Sequence, residues 1–390
     1  MKSVHILTGI RSEYDILAPV LDAMDATGEL ETGVIVTGAH LSSAFGNSVS
    51  QIERDGRRIV ARIDSLLASD GLAGRVKGAA LQLAGITDLF ARDKPDFLVV
   101  MGDREESMTG ALAAAYHHVP LVHIGGGDHA DDGNVDNSIR HAVSKLAHLH
   151  MVTTPLSARR VEALGEESWR VHVVGASGID RFAAVPRLER DALEGELGVE
   201  WGGEPFAVLL YHPTVTDFSR ARENAATITA ALERSGLHVA IIAPNSDPGN
   251  LAIVEEIEAF VARYPRARAF RFLERTVFVN LLRHARVLVG NSSAGLIEAP
   301  TIGLPVVNVG VRQRGREHGE NVIFVDYDPA EIDAAIGRAT GDAAFRSTVE
   351  NGSTPYGDGT AGKRIADILS RTEVGEKLMH KRFVLQDETE

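Results

Sequence analysis

Residues 286–315, RVLVGNSSAGLIEAPTIGLPVVNVGVRQRG, contain two short apolar runs separated by a Gly-Asn-Ser-Ser turn and a helix-like segment. The runs are Val287–Val289 and Val306–Val309. This strand–turn–helix–strand order is typical of a parallel α/β sheet. A strand that ends in a Gly/Ser turn directs backbone N–H groups and a helix N-terminus at one spot, which suits a phosphate. The ordinary alternative is a turn and N-cap without a ligand, because short glycine-rich matches are common.

Three side chains of this stretch can contact a nucleotide. The hydroxyls of Ser292 and Ser293 add donors at the turn, and Glu298 can accept from the two hydroxyls of a ribose. Together with the turn, they predict a nucleoside diphosphate site.

Short apolar runs alternate with helical patterns along the whole chain. Strand-like runs lie at 4–9, 33–38, 97–102, 121–126, 150–154, 171–176, 206–213, 238–245, 268–273, 286–293, 306–310 and 322–328, and helix-like stretches include 14–25, 72–92, 105–117 and 137–148. Connections of this length predict parallel sheets covered by helices on both faces. Ligands of such open sheets bind at the carboxyl ends of the strands.

The alternation is interrupted once, at the polar segment 181–204, which we interpret as a linker plus a helix. A chain of 390 residues suits two domains. We therefore expect an α/β protein with two doubly wound, Rossmann-like domains facing a cleft. The domains would span 1–180 and 181–360, and a C-terminal helix and tail at 361–390 would pack back on the first domain.

Composition excludes several classes of function. The hydrophobic share of 44% and the charged share of 24% are those of a globular protein. A net charge of −14 argues against binding to nucleic acid or anionic membrane, because both require basic patches. The chain has no cysteine, and no apolar run approaches the ~20 residues of a membrane span. The first apolar run is too short for a signal peptide, so we expect a cytoplasmic protein.

Two charged turns follow strand-like runs in the first half. In the turn at 9–15, Arg11 can hold a phosphate, although Ser12 and Asp15 also fit an ordinary helix cap. In Gly102-Asp103-Arg104, Asp103 can transfer protons and Arg104 can hold a phosphate, whereas the alternative is an N-cap aspartate.

The most polar stretch is HIGGGDHADDGNVDNSIRH, residues 123–141. Its three consecutive glycines permit a close backbone approach to a ligand. Its four aspartates and three histidines are candidate general acids and bases, among them Asp128, Asp131 and Asp136. Because no His-x-x-x-His or Asp-x-Asp spacing stands out, we predict neither a metal nor another cofactor.

Two further turns in the second half are candidate ligand loops. His212 ends a strand-like run before a proline, and a histidine there titrates near neutral pH. Asn245 lies in the turn Ala-Pro-Asn-Ser-Asp-Pro-Gly.

These pieces, in this order, resemble the UDP-N-acetylglucosamine 2-epimerase family, and within it the hydrolysing branch that feeds sialic acid and related nonulosonic acid pathways. The matching motifs cover nearly the whole chain and include residues 8–11, 36–41, 45–47, 138–142, 145–146 and 315–322. The resemblance implies a glycosyltransferase-B-like fold, a homo-oligomer (a dimer or tetramer) and a small-molecule nucleotide sugar as partner.

The resemblance also implies roles for individual residues. The family's nucleotide contacts fall on Arg11, Arg104, His212, Asn245, Ser292, Ser293, Glu298 and Arg312. Its catalytic carboxylates fall on Asp103 and Asp136, with His212 near the leaving group. The implied reaction removes the C2 proton, eliminates UDP to form a glycal and, in the hydrolysing branch, adds water to release the free 2-epimer.

One position departs from the family pattern. The hydrolysing enzymes usually read His-Ile-Glu-Gly-Gly-Glu, but here Gly125 replaces the first glutamate and Asp128 the second, and the loop up to Asp136 is longer. Asp128, Asp131 or Asp132 can replace the missing carboxylate.

The leading hypothesis is therefore a hydrolysing NDP-sugar 2-epimerase acting on UDP-N-acetylglucosamine or a diacetamido-trideoxy relative. The alternatives are a non-hydrolysing 2-epimerase, a glycosyltransferase of the same fold, and a sugar-nucleotide-binding protein that has lost catalysis.

Overall fold

The computed structural model describes residues 1–67, 72–131, 133, 135–214, 218–244 and 249–385. These residues form a seven-stranded and a six-stranded parallel sheet. The strands are β1 (Lys2–Thr8), β2 (Leu30–Thr37), β3 (Ile59–Ile63), β4 (Phe97–Met101), β5 (Leu121–Ile124), β6 (Leu149–Val152), β7 (Val171–Val173), β8 (Phe206–Leu210), β9 (His238–Ile242), β10 (Ala267–Phe270), β11 (Val287–Gly290), β12 (Val306–Val309) and β13 (Val322–Val325).

Helices connect these strands. They are α1 (Arg11–Thr27), α2 (Val49–Arg54), α3 (Leu72–Phe90), α4 (Glu105–His117), α5 (Asp136–Leu146), α6 (Pro155–Ala163), α7 (Ser177–Ala184), α8 (Arg190–Leu197), α9 (Ala221–Ser235), α10 (Asn250–Arg263), α11 (Arg275–His284), α12 (Ala294–Ile297), α13 (Pro329–Gly341), α14 (Ala343–Glu350), α15 (Ala361–Arg371) and α16 (Glu376–Met379). In the described part of the chain, no helix is both long and apolar enough to cross a membrane.

The chain forms two compact units. The first comprises Met1–His129, Val135–Arg181 and Tyr356–Glu390, and the second comprises Ala130–Asn134 and Phe182–Pro355. The α/β fold with two parallel-sheet, doubly wound domains is thus confirmed.

In the first unit the strand order is β3-β2-β1-β4-β5-β6-β7. Its fully buried strands, such as β5 and β6, are sandwiched between apolar helix faces: α1 and α15 contribute to one core, and α3 and α4 to the other. All strands are parallel, but the order in which successive strands are added changes direction between β1 and β4. A crevice therefore opens at the carboxyl ends of these two strands.

In the second unit the strand order is β10-β9-β8-β11-β12-β13. The change of direction in strand order lies between β8 and β11. Helices α9, α10 and α13 cover one face, while α8 and α11 cover the other. The polar segment predicted as a linker plus helix contains α8.

Every strand-like run predicted from the sequence overlaps a strand, but β3 was missed. This strand pairs only with β2, at the edge of the sheet, and its side chains are mostly half-exposed. Because an edge strand needs no buried apolar run, its pattern does not stand out.

The C-terminal residues pack on the first unit. Helix α15 contacts α1, and Lys2 donates to the carbonyl oxygens of Leu369 and Ser370. The guanidinium of Arg170, fully buried, donates to the carbonyl oxygens of Lys377, Leu378 and His380.

Candidate active site

Arg140 links three candidate positions at the carboxyl edge of the first sheet. Its buried guanidinium donates to the carbonyl oxygen of Gly125 at 2.8 Å and to the carboxylate of Asp103. The Oδ2 atom of Asp128 lies 4.0 Å from the same guanidinium. Two carboxylates and one strand end therefore converge on a single cation, which offsets the cost of burying charge.

The backbone at Gly125 adopts a conformation that disfavours a side chain at that position. The φ angle of Gly125 is +77°, a left-handed conformation that L side chains rarely adopt. Space is available, because a Cβ atom there would lie 3.8 Å from the nearest Arg140 nitrogen. The loop conformation, rather than crowding, disfavours a side chain.

The aspartates after Gly125 separate into different groups. Asp128 lies in the first unit beside Arg140 and accepts the backbone N–H of His129 through its Oδ1 atom at 2.9 Å. Asp131 belongs to the second unit, where its N–H donates to the carbonyl oxygen of Arg314 at 2.7 Å. Asp132 lies outside the described residues. Of the described candidates, the structure brings Asp128 together with Asp103.

One face of α5 presents residues to this edge of the sheet. Asp136, Arg140 and Ser144 are spaced by four residues, so they share a face of the helix. Asp136 is the first helical residue, Arg140 holds Asp103, and Ser144 contacts His123.

His123 connects α5 to the turn that carries Asp103. Its Nε2 atom lies 2.8 Å from the carbonyl oxygen of Gly102, and its Nδ1 atom lies 3.0 Å from the Ser144 hydroxyl. A carbonyl oxygen only accepts, so Nε2 carries the proton and Ser144 donates to Nδ1. Burial lowers the pKa of His123 to about 3, which keeps the ring neutral.

Sequence reasoning missed this positioning role of His123 and Ser144. The available signal was a histidine inside a buried strand immediately before three glycines, since a buried imidazole requires partners for both nitrogens.

A second cluster of charged side chains lies in the segments that follow β1 and β4. The Arg104 guanidinium lies 3.3 Å from the Glu106 carboxylate and 3.8 Å from that of Glu105. Burial raises the pKa of Glu106, and burial together with the negative charge of Glu106 raises the pKa of Glu13 to about 8. Arg104 is therefore held among carboxylates at the sheet edge.

The turn containing Arg11 does not form the helix cap that Ser12 and Asp15 allow in the sequence. Helix α1 begins at Arg11, so Ser12 lies inside it and does not cap it. Glu13 instead accepts the Gly9 N–H at 2.9 Å and the Thr8 hydroxyl at 3.0 Å. Arg11 lies at this edge with its Nε atom 3.7 Å from the Asp15 carboxylate.

At the carboxyl edge of the second sheet, Asn291 fixes the backbone of His212. The Asn291 Oδ1 atom accepts the His212 N–H at 2.8 Å, and its Nδ2 atom donates to the His212 carbonyl oxygen at 2.8 Å. Asn291 follows β11, and His212 lies two residues beyond β8. The two hydrogen bonds therefore join the ends of the neighbouring strands between which the strand order changes direction. Sequence reasoning did not assign Asn291 this function.

The preceding residue, Gly290, allows these strand ends to approach closely. Its φ angle is +136°, and a Cβ atom there would lie 2.1 Å from the carbonyl oxygen of Leu210. Only glycine fits this position.

The segment after the Gly-Asn-Ser-Ser turn is shorter than the helix that the sequence suggested. Helix α12 contains only four residues, with Ser293 as its N-cap, and Glu298 lies at its C-terminal end. A 3₁₀ turn with Pro300 follows, because proline cannot continue the helical hydrogen bonds. A short helix has a weak dipole, so donors at this turn are mainly N–H and hydroxyl groups. Ser292 and Ser293 are partly exposed there, whereas Glu298 is buried.

Arg312 is held at the same turn. Its guanidinium donates to the carbonyl oxygen of Asn291 at 3.0 Å, and the buried Gln313 side chain donates to the same oxygen at 2.9 Å. His212, Ser292, Ser293 and Arg312 thus lie around Asn291. Asn245 lies outside the described residues.

Across the ranges that the structure describes, no three His, Cys, Asp or Glu side chains are grouped as metal ligands would be.

A family model described as UDP-N-acetylglucosamine 2-epimerase matches residues 22–370. A Legionella pneumophila relative, the hydrolysing UDP-N,N'-diacetylbacillosamine 2-epimerase, is 31% identical over 381 residues, which is 98% of this chain and 99% of the relative. The UDP-N-acetylglucosamine 2-epimerase of Neisseria meningitidis is 31% identical, with 98% and 99% coverage.

The fold is shared with solved structures. The crystal structure of a Neisseria meningitidis UDP-GlcNAc 2-epimerase bound to UDP-GlcNAc matches with a TM-score of 0.81 and 18% identity, and covers 95% of this chain and 100% of that one. From the family model, the relatives and this fold, the chain belongs to the UDP-N-acetylglucosamine 2-epimerase family.

Proposed function

We propose that this protein is a hydrolysing NDP-sugar 2-epimerase. Its substrate would be UDP-N-acetylglucosamine or a diacetamido-trideoxy relative such as UDP-diacetylbacillosamine, and its products the free 2-epimer and UDP. Two relatives with 31% identity carry names for these two substrates.

The observation that supports catalysis is the convergence of Asp103 and Asp128 on Arg140. A reaction that removes and returns a proton at C2 requires carboxylates that are held in place at the sugar. Arg140 holds Asp103 directly, and the Ser144–His123–Gly102 hydrogen bonds hold the turn behind it. We assign proton transfer to Asp103 and Asp136, with Asp128 in place of the glutamate absent at position 125.

The nucleotide is assigned to the residues around Asn291 in the second unit. Partly exposed hydroxyls of Ser292 and Ser293 and the cationic Arg312 suit a diphosphate, and Glu298 suits the ribose. His212, whose backbone Asn291 fixes, would stabilise the departing diphosphate. Arg11 and Arg104 supply further positive charge, and Asn245 stays a prediction.

The proposed reaction proceeds in two steps. A carboxylate takes the C2 proton as the C1–O bond to UDP breaks, which leaves a 2-acetamidoglucal and UDP. A water hydroxyl then adds to C1, and a proton is returned to C2 from the opposite face. The net reaction consumes one water and inverts C2.

Proton NMR of the protein with UDP-N-acetylglucosamine in D₂O tests the proposal. Free UDP with a C2-deuterated N-acetylmannosamine is the expected outcome, and UDP-diacetylbacillosamine tests the second substrate. A UDP-linked epimer without UDP release would identify a non-hydrolysing enzyme. UDP binding without turnover of either substrate would instead indicate a binding protein, for which the absent glutamate at Gly125 is the specific reason.

Cytoplasmic localisation, a homo-oligomeric state and a place in sialic or nonulosonic acid synthesis stay predictions.

A further inference from the structure

Glu166, in the loop after α6, carries a buried carboxylate to which the proposed reaction assigns no role. It accepts hydrogen bonds from the ammonium groups of Lys145 at 2.8 Å and Lys381 at 2.7 Å, and the Nε2 atom of His150 lies 3.1 Å away. Burial alone would raise the pKa of Glu166, but these three partners lower it to about 2. An ionised carboxylate therefore brings together two lysines that are 236 positions apart.

The ammonium of Lys381 also binds the C-terminal end of α5. It donates to the carbonyl oxygens of Lys145 at 2.6 Å and of Ala147, the C-cap residue, at 2.5 Å. The last carbonyl groups of a helix have no partner within it, and a cation there also complements the helix dipole. An ammonium has three protons, and the two carbonyl oxygens and Glu166 accept all three. The Lys381 side chain is accordingly only 17% exposed.

The tail on both sides of Lys381 is anchored to the first unit. Before it, Arg170 donates to the three tail carbonyl oxygens described above. After it, the Val384 N–H donates to the carbonyl oxygen of Gly165 at 3.0 Å. The Phe383 ring lies so close to Gly165 that a Cβ atom there would be 2.6 Å from it. The surrounding tail therefore fixes the position of the Lys381 ammonium.

Helix α5 carries groups of the candidate active site. Ser144, the residue before Lys145, contacts His123, and Arg140, one turn earlier, holds Asp103. A helix moves largely as one body because its backbone hydrogen bonds link successive turns. A shift of its C-terminal end would therefore displace these contacts at the edge of the sheet.

We propose that Lys381 is a positioning residue for catalysis, which holds α5 so that Arg140 and Ser144 keep the Asp103 turn in place. The inference rests on the proposed function, since that function assigns proton transfer to Asp103. Lys381 acts through α5, because its three protons are directed at Glu166 and at the end of the helix.

Apolar packing of the tail is the alternative explanation for this arrangement. Lys381→Met separates the two explanations, because methionine keeps most of the apolar stem and loses the three donors. Lys381→Gln, which keeps one donor group, replaces it if methionine prevents folding.

Steady-state kinetics of UDP release by the full chain, at a temperature well below unfolding, tests the proposal. We expect Lys381→Met to lower kcat about tenfold, while KM and UDP affinity stay unchanged. Lys381→Arg should recover part of the rate, because a guanidinium can still donate to the same oxygens. Lys363→Met is the matched control, since Lys363 is exposed on α15. A folded Lys381→Met with the wild-type kcat would overturn the proposal, as would an equal loss in Lys363→Met.

Hydrogen exchange of the α5 amides tests the hold on the helix without relying on turnover. We expect residues 141–147 to exchange about tenfold faster in Lys381→Met than in the wild type or in Lys363→Met. Unchanged exchange would overturn the proposal. A wild type that turns over neither substrate would contradict the proposed function and the catalytic part of this inference, whereas the exchange decides separately whether Lys381 fixes α5.

Discussion

Arg140 donates a hydrogen bond to the carbonyl oxygen of Gly125 at 2.8 Å. The position at which hydrolysing relatives usually carry a glutamate thus supplies only its backbone here, and the Arg140 guanidinium lies beside it. The same guanidinium contacts Asp103 and approaches Asp128. We propose that Asp128, three residues later in the chain, provides the carboxylate that the family places at position 125.

Replacing Asp128 should impair the chemical step. We expect Asp128→Asn, like Asp103→Asn, to lower kcat about 100-fold or more, because an amide cannot take a proton. UDP affinity should be largely retained, since the residues around Asn291 that we assign to the nucleotide are unchanged. Rates of UDP release and UDP titration calorimetry measure the two effects. Asp333→Asn is the control, as Asp333 forms an exposed ion pair with Arg234. A larger loss for Asp131→Asn than for Asp128→Asn would contradict the assignment.

A side chain at Gly125 should destabilise the protein through backbone strain. We expect Gly125→Ala to lower the free energy of unfolding by about 1–2 kcal/mol, because φ is +77° there. Gly337→Ala is the control: Gly337 lies inside α13, where a Cβ meets no atom within 4 Å, so alanine should be neutral or stabilising. Urea unfolding compares them. Equal effects would show that the left-handed conformation is not required.

Removing the Ser144 hydroxyl should release His123. In Ser144→Ala the buried Nδ1 atom loses its donor, a loss of about 1–3 kcal/mol, and the Gly102 turn is held less firmly. We expect kcat to fall about tenfold with little change in KM, and partial recovery in Ser144→Thr. A purely structural role would lower the melting temperature without this selective effect on kcat, and steady-state kinetics at a temperature well below unfolding distinguishes the two.

Loss of the Asn291 amide should weaken nucleotide binding. Asn291→Ala removes both hydrogen bonds that the side chain makes to the partly buried His212 backbone. We expect UDP affinity to fall about tenfold or more, as measured by calorimetry. Asn351→Ala, which removes an exposed bond to the Ser347 carbonyl oxygen, is the matched control. Unchanged UDP affinity in Asn291→Ala would show that His212 is not part of the nucleotide site.

The free energy of unfolding should decrease as pH rises from about 6.5 to 8. The pKa of Glu13 is raised to about 8, so the folded state retains a proton that the unfolded state releases above its ordinary carboxyl pKa. Stability is then lost as pH rises towards 8. The buried histidines, whose pKa values are lowered, act in the opposite direction but only below about pH 6.5.

The measurement is urea unfolding between pH 6.5 and pH 8. We expect the wild type to lose about 1–2 kcal/mol over this range and Glu13→Gln to lose less, because the amide does not titrate. The same pH slope in both proteins would mean that Glu13 is ionised in the folded state.

Much of this site could be anticipated because adjacent residues in a chain remain adjacent in a fold. Gly102-Asp103-Arg104 and Gly290-Asn291-Ser292 each follow a buried strand, and parallel strands bring their carboxyl ends to one edge. The resemblance assigned Asp103, Asp136 and Arg312 without the structure. It did not assign roles to His123, Ser144 or Asn291, since each acts through a bond to a residue at least 20 positions away.

Local sequence patterns gave wrong predictions of helix ends where the same residues are compatible with two structures. Ser12 is a good cap residue, yet Glu13 accepts the Gly9 N–H instead because the helix begins at Arg11. Helix α12 stops before Glu298, although its sequence continues the helical pattern, because Pro300 interrupts the hydrogen bonding.

The sequence by itself determined the two α/β units, the order of their strands along the chain and the family, because burial patterns and motifs are local properties. The tertiary structure decided which aspartate stands beside Asp103. Asp128 and Asp131 are three residues apart and chemically alike, but one lies against Arg140 and the other against Arg314 in the second unit. The positions of the two aspartates depend on the conformation of the loop that follows three glycines. Because glycine permits many backbone conformations, contacts with residues distant in sequence determine the path of this loop.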